Sequence, residues 1–119
     1  MKERMKILLS NNVITKESFE SILLVIDYFN REWGLSESNE QYQMIMTHLV
    51  RATDRIKQGK EIQDGLDCDI YNEMESMSEF SFIKEINSYI CGMMGLREVP
   101  ETENSFFLFN ITSLYEMRS

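Results

Sequence analysis

The residues best suited to chemistry are one histidine and the two arginines that follow it. Arg51 and Arg55 follow His48 by three and seven residues, which places all three on the same side of a helix. An imidazole is a nucleophile near neutral pH, and phosphorylation would add about two negative charges beside the arginines. Charge-assisted hydrogen bonds from both guanidinium groups would then stabilise the product. This chemistry would suit a phosphohistidine switch centred on His48.

His48 also has a purely structural interpretation. An imidazole often hydrogen-bonds between packed helices while neighbouring arginines are solvated, and charges gather around structural histidines as well as functional ones. On spacing alone this is the more frequent case. Both interpretations stay open at this level.

Other kinds of site find little support in the sequence. A single histidine and two distant cysteines cannot supply a tetrahedral zinc set, and we expect both thiols to be reduced. Nucleophilic catalysis would need a carboxylate beside the histidine, and the scattered glycines form no phosphate-binding loop. Neighbouring acidic residues are interpreted as solvated or helix-terminal charges. We therefore predict no enzymatic activity, no metal ion and no cofactor.

Composition limits the class of partner. The chain has 119 residues with 20 acidic and 12 basic side chains, for a formal net charge of -8. This field repels phosphate backbones, so we expect no direct binding to nucleic acid. Apolar runs are too short to span a bilayer, and the N-terminus lacks a secretion signal. We expect a cytoplasmic protein with no membrane association.

Helical periodicity dominates the chain and defines its expected fold. Residues 1–13 form an N-terminal lead, which we expect to be helical, and residues 14–117 form one domain. Thr15, Ser38 and Thr102 are the expected caps, with Ser38 and Gln41 at capping-box spacing. The predicted helices cover 16–33, 39–59, 69–77, 79–94 and 103–117. The fold class is therefore all-α, and the domain is a compact five-helix bundle.

Asn110 interrupts the apolar stripe of the last predicted helix. A buried amide must find hydrogen-bond partners or lose its hydration at a cost in free energy. Asn110 is thus expected either in a buried polar network, the more common case, or facing a partner chain.

Two segments resemble the signatures of a known family. The stretch HLVRATDRIKQG at 48–59 resembles the first signature of the phosphotransferase-system regulation domain (PRD). The stretch GLREVPETENSFFLFNI at 95–111 resembles the second, through its loop, its proline, the acidic Glu103 and an aromatic-rich helix. The resemblance covers residues 14–117 and implies a five-helix bundle of PRD type.

The resemblance also implies a function. PRD-containing proteins are bacterial regulators of sugar metabolism, antiterminators among them, whose histidines accept phosphoryl groups from the phosphocarrier protein or a sugar permease component. Phosphorylation changes the packing of the dimer, and an attached effector domain responds. His48 corresponds to the first regulatory histidine, whereas Asn110 occupies the position of another histidine. Asparagine cannot accept a phosphoryl group in this way, so the second site is lost.

These considerations lead to two hypotheses. In the first, the chain is a stand-alone PRD-like domain of transcriptional control. It is phosphorylated on His48, forms a homodimer or binds a partner regulator, and acts through protein–protein contact. In the alternative, it is a dimerisation or interaction module derived from a PRD, in which His48 only packs.

Overall fold

The computed structural model describes residues 1–118, and within them the chain is all-α. It contains six helices, not the five expected: α1 (Lys2–Ser10), α2 (Lys16–Trp33), α3 (Glu40–Lys57), α4 (Cys68–Glu75), α5 (Phe80–Met93) and α6 (Glu101–Met117). The additional helix is α1, which was expected as a lead to the bundle. It packs against α2 and contributes the fully buried Met5 to the common core.

Helix α2 has the bounds predicted from the sequence, and its N-cap is the predicted Thr15. The Thr15 hydroxyl accepts a hydrogen bond from the backbone N–H of Ser18 at 3.2 Å. At the other end, Gly34 adopts a left-handed conformation with φ 61°, which glycine does without a steric penalty. The prediction for this helix is confirmed. It could be made from sequence because the residues that define the helix ends lie next to those ends.

Helix α3 begins at Glu40, one residue later than a cap at Ser38 would give. Asn39, not Ser38, is the N-cap, and its side-chain oxygen accepts the N–H of Tyr42 at 3.0 Å. The Ser38 hydroxyl lies 2.8 Å from that of Ser36 instead. Asparagine and serine cap helices about equally well, so the sequence did not distinguish the two positions.

Helix α6 begins at Glu101, directly after Pro100. The prediction that Thr102 caps this helix is wrong, because the Thr102 hydroxyl donates to the carbonyl of Ile62 at 2.8 Å. This bond ties the start of α6 to the loop that follows α3. Helix α6 also packs against α3, α4 and α5, so it carries side chains into several different surroundings.

The core contains the apolar faces of α2, α3, α5 and α6. Ile22, Ile26 and Phe29 of α2 and Tyr42 and Met46 of α3 are fully buried. Three apolar residues within the predicted helices are substantially exposed: Ile70, Phe82 and Tyr89. In residues 1–118, no helix has the length and apolar character needed to cross a membrane.

Candidate functional site

The two signature segments meet in one cavity between α3 and α6. The cavity measures about 380 Å³. Helix α3 contributes His48 and Arg55, and helix α6 contributes Glu103, Phe106 and Asn110. Residues far apart in sequence therefore share one site, and every predicted site residue except Arg51 lines it.

Arg55 and Glu103 form a bidentate ion pair in the wall of this cavity. The Arg55 Nε and Nη2 groups donate to Glu103 Oε2 and Oε1 at 2.8 and 2.9 Å. The backbone N–H of Ile62 also donates to Glu103 Oε2 at 3.2 Å. The carboxylate is only 1% exposed, so these bonds replace the water that it loses on burial.

The ion pair fixes the charge of Arg55. Its hydrogen bond with Glu103 raises the pKa of the Arg55 guanidinium above its ordinary value, against a smaller opposing effect of burial. The side chain nevertheless remains 37% exposed. Arg55 therefore has both a carboxylate partner and a surface turned to the solvent.

His48 and Arg51 lie on the open side of α3. Both residues are exposed, and together with Arg55 they line a shallow surface depression. Among residues 1–118, Arg51 has no carboxylate within 4.0 Å. The imidazole is thus accessible from outside, next to one unpaired and one paired cation.

Asn110 is half-buried in the wall shared with His48. In the part of the chain that the structure describes, its side-chain amide makes no hydrogen bond. It therefore belongs to no buried polar network and is available to a ligand or a partner chain.

The aromatic walls of the site were not anticipated as such. Phe106 lies on the last helix, and it is only partly buried and lines the cavity. Phe109 lies beside it and is 38% exposed. The three phenylalanines of SFFLF at 105–109 could have indicated exposed aromatic surface, because they point to different sides of the helix and a helix cannot bury all of its faces against one neighbour.

Asp54 is a structurally important residue that the sequence analysis missed. It is 6% exposed, and it accepts the Thr15 backbone N–H, the Thr15 hydroxyl and the Ser18 hydroxyl at 2.9, 2.9 and 2.6 Å. It therefore joins α3 to the N-terminus of α2. In the sequence, the only indication of this role is that Asp54 lies beside the apolar stripe of α3, and that indication is weak.

Candidate metal ligands are not gathered anywhere in residues 1–118. No group of three or more histidine, cysteine, aspartate or glutamate side chains is placed to hold an ion there. The geometry instead defines a helical domain with an exposed imidazole and a cleft with aromatic walls.

One curated protein is similar along nearly its whole length. The uncharacterized protein YhfY of Escherichia coli strain K12 is 27% identical over 115 residues, which cover 97% of this chain and 94% of that protein. No protein-family model matches the chain, and no solved structure matches it.

Proposed function

We propose that this chain is a regulatory domain of PRD type that is phosphorylated on His48 and acts through protein–protein contact in the control of sugar metabolism. One observation carries the proposal: His48 from the first signature lines the same cavity as Glu103 and Asn110 from the second. The two segments were matched on residue pattern alone. If both segments serve one function, their side chains should lie in one site, and this cavity contains side chains of both.

The chemistry needs only an accessible imidazole and a phosphorylated donor protein. The lone pair of the unprotonated ring nitrogen of His48 attacks the donor's phosphorus, a new N–P bond forms and the bond to the donor atom breaks, leaving its electron pair on that atom. The donor is the phosphocarrier protein or a sugar permease component. Because His48 is exposed on α3, a protein donor can reach it without unfolding the domain.

Two cations would stabilise the product. Arg51 is free to swing toward the phosphoryl oxygens, because it has no carboxylate partner within residues 1–118. A guanidinium has five N–H donors, and Glu103 takes one at Nε and one at Nη2 of Arg55. The Nη1 group of Arg55 therefore remains for the phosphoryl group.

The response to phosphorylation would be a change in association. Phe106 and Phe109 line the cavity with His48, so a second copy or a partner regulator docked there would meet both apolar area and the imidazole. Adding about two negative charges at that point changes the free energy of the docked arrangement. Homodimerisation or capture of a partner regulator is the proposed output.

A phosphorylation assay tests this proposal. The pure protein is incubated with phosphoenolpyruvate, the first enzyme of the phosphotransferase system and the phosphocarrier protein. We expect one phosphoryl group that is labile in acid and stable in base, and that is absent from His48→Ala. Arg51→Gln should slow its appearance, whereas Lys60→Gln removes an exposed charge in the following loop and should not. A protein that acquires no acid-labile phosphate contradicts the proposal.

A second candidate function is an interaction module without phosphorylation. It is favoured by Asn110 at the second-site position and by the commitment of Arg55 to Glu103, which leaves a single unpaired arginine at the imidazole. In that case His48→Ala and wild type have the same sedimentation behaviour and the same affinity for a partner. If the phosphocarrier system instead changes the oligomeric state of wild type and not of His48→Ala, the module hypothesis is wrong.

A further inference from the structure

A second cavity lies on the other side of α6, and its walls include residues of α4, α5 and the loop between α5 and α6. It measures about 350 Å³, and it shares no lining residue with the cavity that contains His48. Its size is within the range of about 300 to 1,000 Å³ that is typical of small-molecule sites. The proposed phosphorylation does not use it.

The charged groups of this cavity have one sign. Lys84 and Arg97 are the charged residues that line it, although acidic side chains outnumber basic ones by 20 to 12 in the chain. Glu101 lines the adjoining depression and not this cavity. Within residues 1–118, neither cation has a carboxylate within 4.0 Å. Two unpaired cations at the edge of one concave site attract an anion.

Lys84 is held in place without a carboxylate. Its Nζ lies 5.3 Å from the centroid of the Phe80 ring, which is a favourable distance for a cation–π contact. The ammonium group thus has a preferred position and keeps its three N–H donors.

The interior of the cavity supplies uncharged hydrogen-bonding groups. Asn87 is 5% exposed, and its Nδ2 donates to Asn104 Oδ1 at 2.7 Å. The Nδ2 group of Asn104 has no partner in the described part of the chain, so it remains available as a donor. One buried amide therefore positions a second amide at the cavity wall.

Cys91 completes this wall without adding negative charge. Its Sγ lies 3.7 Å from Asn87 Oδ1, and burial raises the pKa of the Cys91 thiol to about 12. The thiol is therefore neutral at physiological pH. Leu96, Val99 and Leu108 provide apolar surface nearby, so the site has room for a carbon skeleton as well as a charged group.

We propose that this cavity binds a small organic anion, whose carboxylate or phosphate group is held by Lys84 and Arg97 and whose polar substituents bond to Asn104. Both kinds of oxyanion match the donors present, since an arginine forms paired hydrogen bonds with either. Apolar surface beside the cations favours a metabolite with a carbon skeleton over a bare inorganic ion. This inference does not depend on phosphorylation of His48.

Titration by nuclear magnetic resonance tests the proposal directly. The full ¹⁵N-labelled chain is titrated with glycerol 3-phosphate, citrate and inorganic phosphate, with glycerol as the uncharged control. We expect at least one of the two organic anions to cause saturable shifts at millimolar concentration in the side-chain amides of Asn87 and Asn104. Glycerol should cause none. Saturation by glycerol 3-phosphate alone would identify a phosphate site, and saturation by citrate alone a carboxylate site.

Charge-removing variants then locate the site. Lys84→Gln and Arg97→Gln each remove an exposed cation, so both should fold, and each should weaken binding by about tenfold through loss of a charge-assisted contact. Lys60→Gln removes an exposed cation elsewhere and should leave the affinity unchanged. The proposal is overturned if neither organic anion causes saturable shifts, if the shifts centre on His48 and Arg51, or if Lys84→Gln and Arg97→Gln bind as wild type does.

Discussion

Helix α3 carries two polar groups that lie six residues apart and have opposite surroundings. Asp54 is buried, and both of its oxygens accept hydrogen bonds from Thr15 and Ser18. His48 is exposed and lies next to Arg51, which has no carboxylate partner in residues 1–118. At a rise of about 1.5 Å per residue, roughly 9 Å of helix separates the two.

The difference shows how one helix combines a buried polar group that joins two helices with a solvent-accessible polar face. The hydrogen-bonding capacity of Asp54 is used within the chain, so it determines how α2 and α3 are joined. The imidazole and Arg51 retain most of their capacity, so they remain available to a molecule from outside. Arg55 lies between these extremes, because it is bound to Glu103 and still partly exposed.

The largest effect is expected at Asp54. Asp54→Ala leaves the fully buried Ser18 hydroxyl without its acceptor and removes the bonds to Thr15. We expect the free energy of unfolding to fall by about 3 kcal/mol, since hydrogen bonds to charged groups are stronger than neutral ones. Urea denaturation followed by circular dichroism measures this. Asp64→Ala, in an exposed loop, is the matched control, and an equal loss in both variants would contradict the structural role of Asp54.

A smaller loss is expected when the ion pair of the candidate site is broken. Glu103→Gln removes the charge that Arg55 binds, and we expect a loss of about 2 kcal/mol. Because the exposed part of Arg55 is solvated, this loss should be smaller than the loss from breaking a fully buried ion pair. Glu101→Gln, at an exposed position on the same helix, should cost less than about 0.5 kcal/mol.

Glu103→Gln should also release Arg55, so phosphorylated His48 would be hydrolysed more slowly than in wild type. Faster hydrolysis in Glu103→Gln would show that Arg55 does not contact the phosphoryl group.

The start of α3 provides an intermediate case. Asn39→Ala removes the bond to the Tyr42 N–H, and we expect it to lower the free energy of unfolding by about 1 kcal/mol. Ser38→Ala should lower it by less than about 0.5 kcal/mol, since that hydroxyl contacts only Ser36 on the surface. Thermal denaturation of the two variants compares them, and a larger loss in Ser38→Ala would restore the cap expected from the sequence.

The smallest change in stability is expected at His48. Because the residue is exposed, His48→Ala should alter the free energy of unfolding by no more than about 0.5 kcal/mol. Urea denaturation measures this beside Asp54→Ala. A large loss would show that the imidazole is needed for packing, and the contrast between the two faces of α3 would then disappear.

Much of the fold could be predicted from the sequence, whereas the pairing of side chains within the site could not. The bounds of α2 followed from Thr15, Gly34 and a regular apolar stripe. The all-helical class followed from the same periodicity in the other segments. The helix count was wrong because the expected helical lead was placed outside the bundle, whereas α1 packs Met5 into the common core.

Parts of the site were predicted separately and not as a unit. His48, Arg51 and Arg55 were identified by their spacing, and Glu103 and Asn110 by the resemblance to PRD. Their grouping differed from expectation, since Arg55 bonds to Glu103 and Arg51 is the arginine without a partner. Spacing within a helix predicts which residues share a side, but not which of them finds a partner on another helix.

The sequence by itself determined the helical class, both ends of α2 and the side of α3 on which the imidazole lies, because these depend on residues within one or two turns of each other. Only the tertiary structure decided that Glu103 neutralises Arg55 from 48 positions away, and that Asp54 accepts the N–H of the α2 cap residue Thr15 from 39 positions away. It also placed Lys84 and Arg97 around one cavity. A buried charge is stable only beside its partner, and that partner is brought into place by the packing of whole helices.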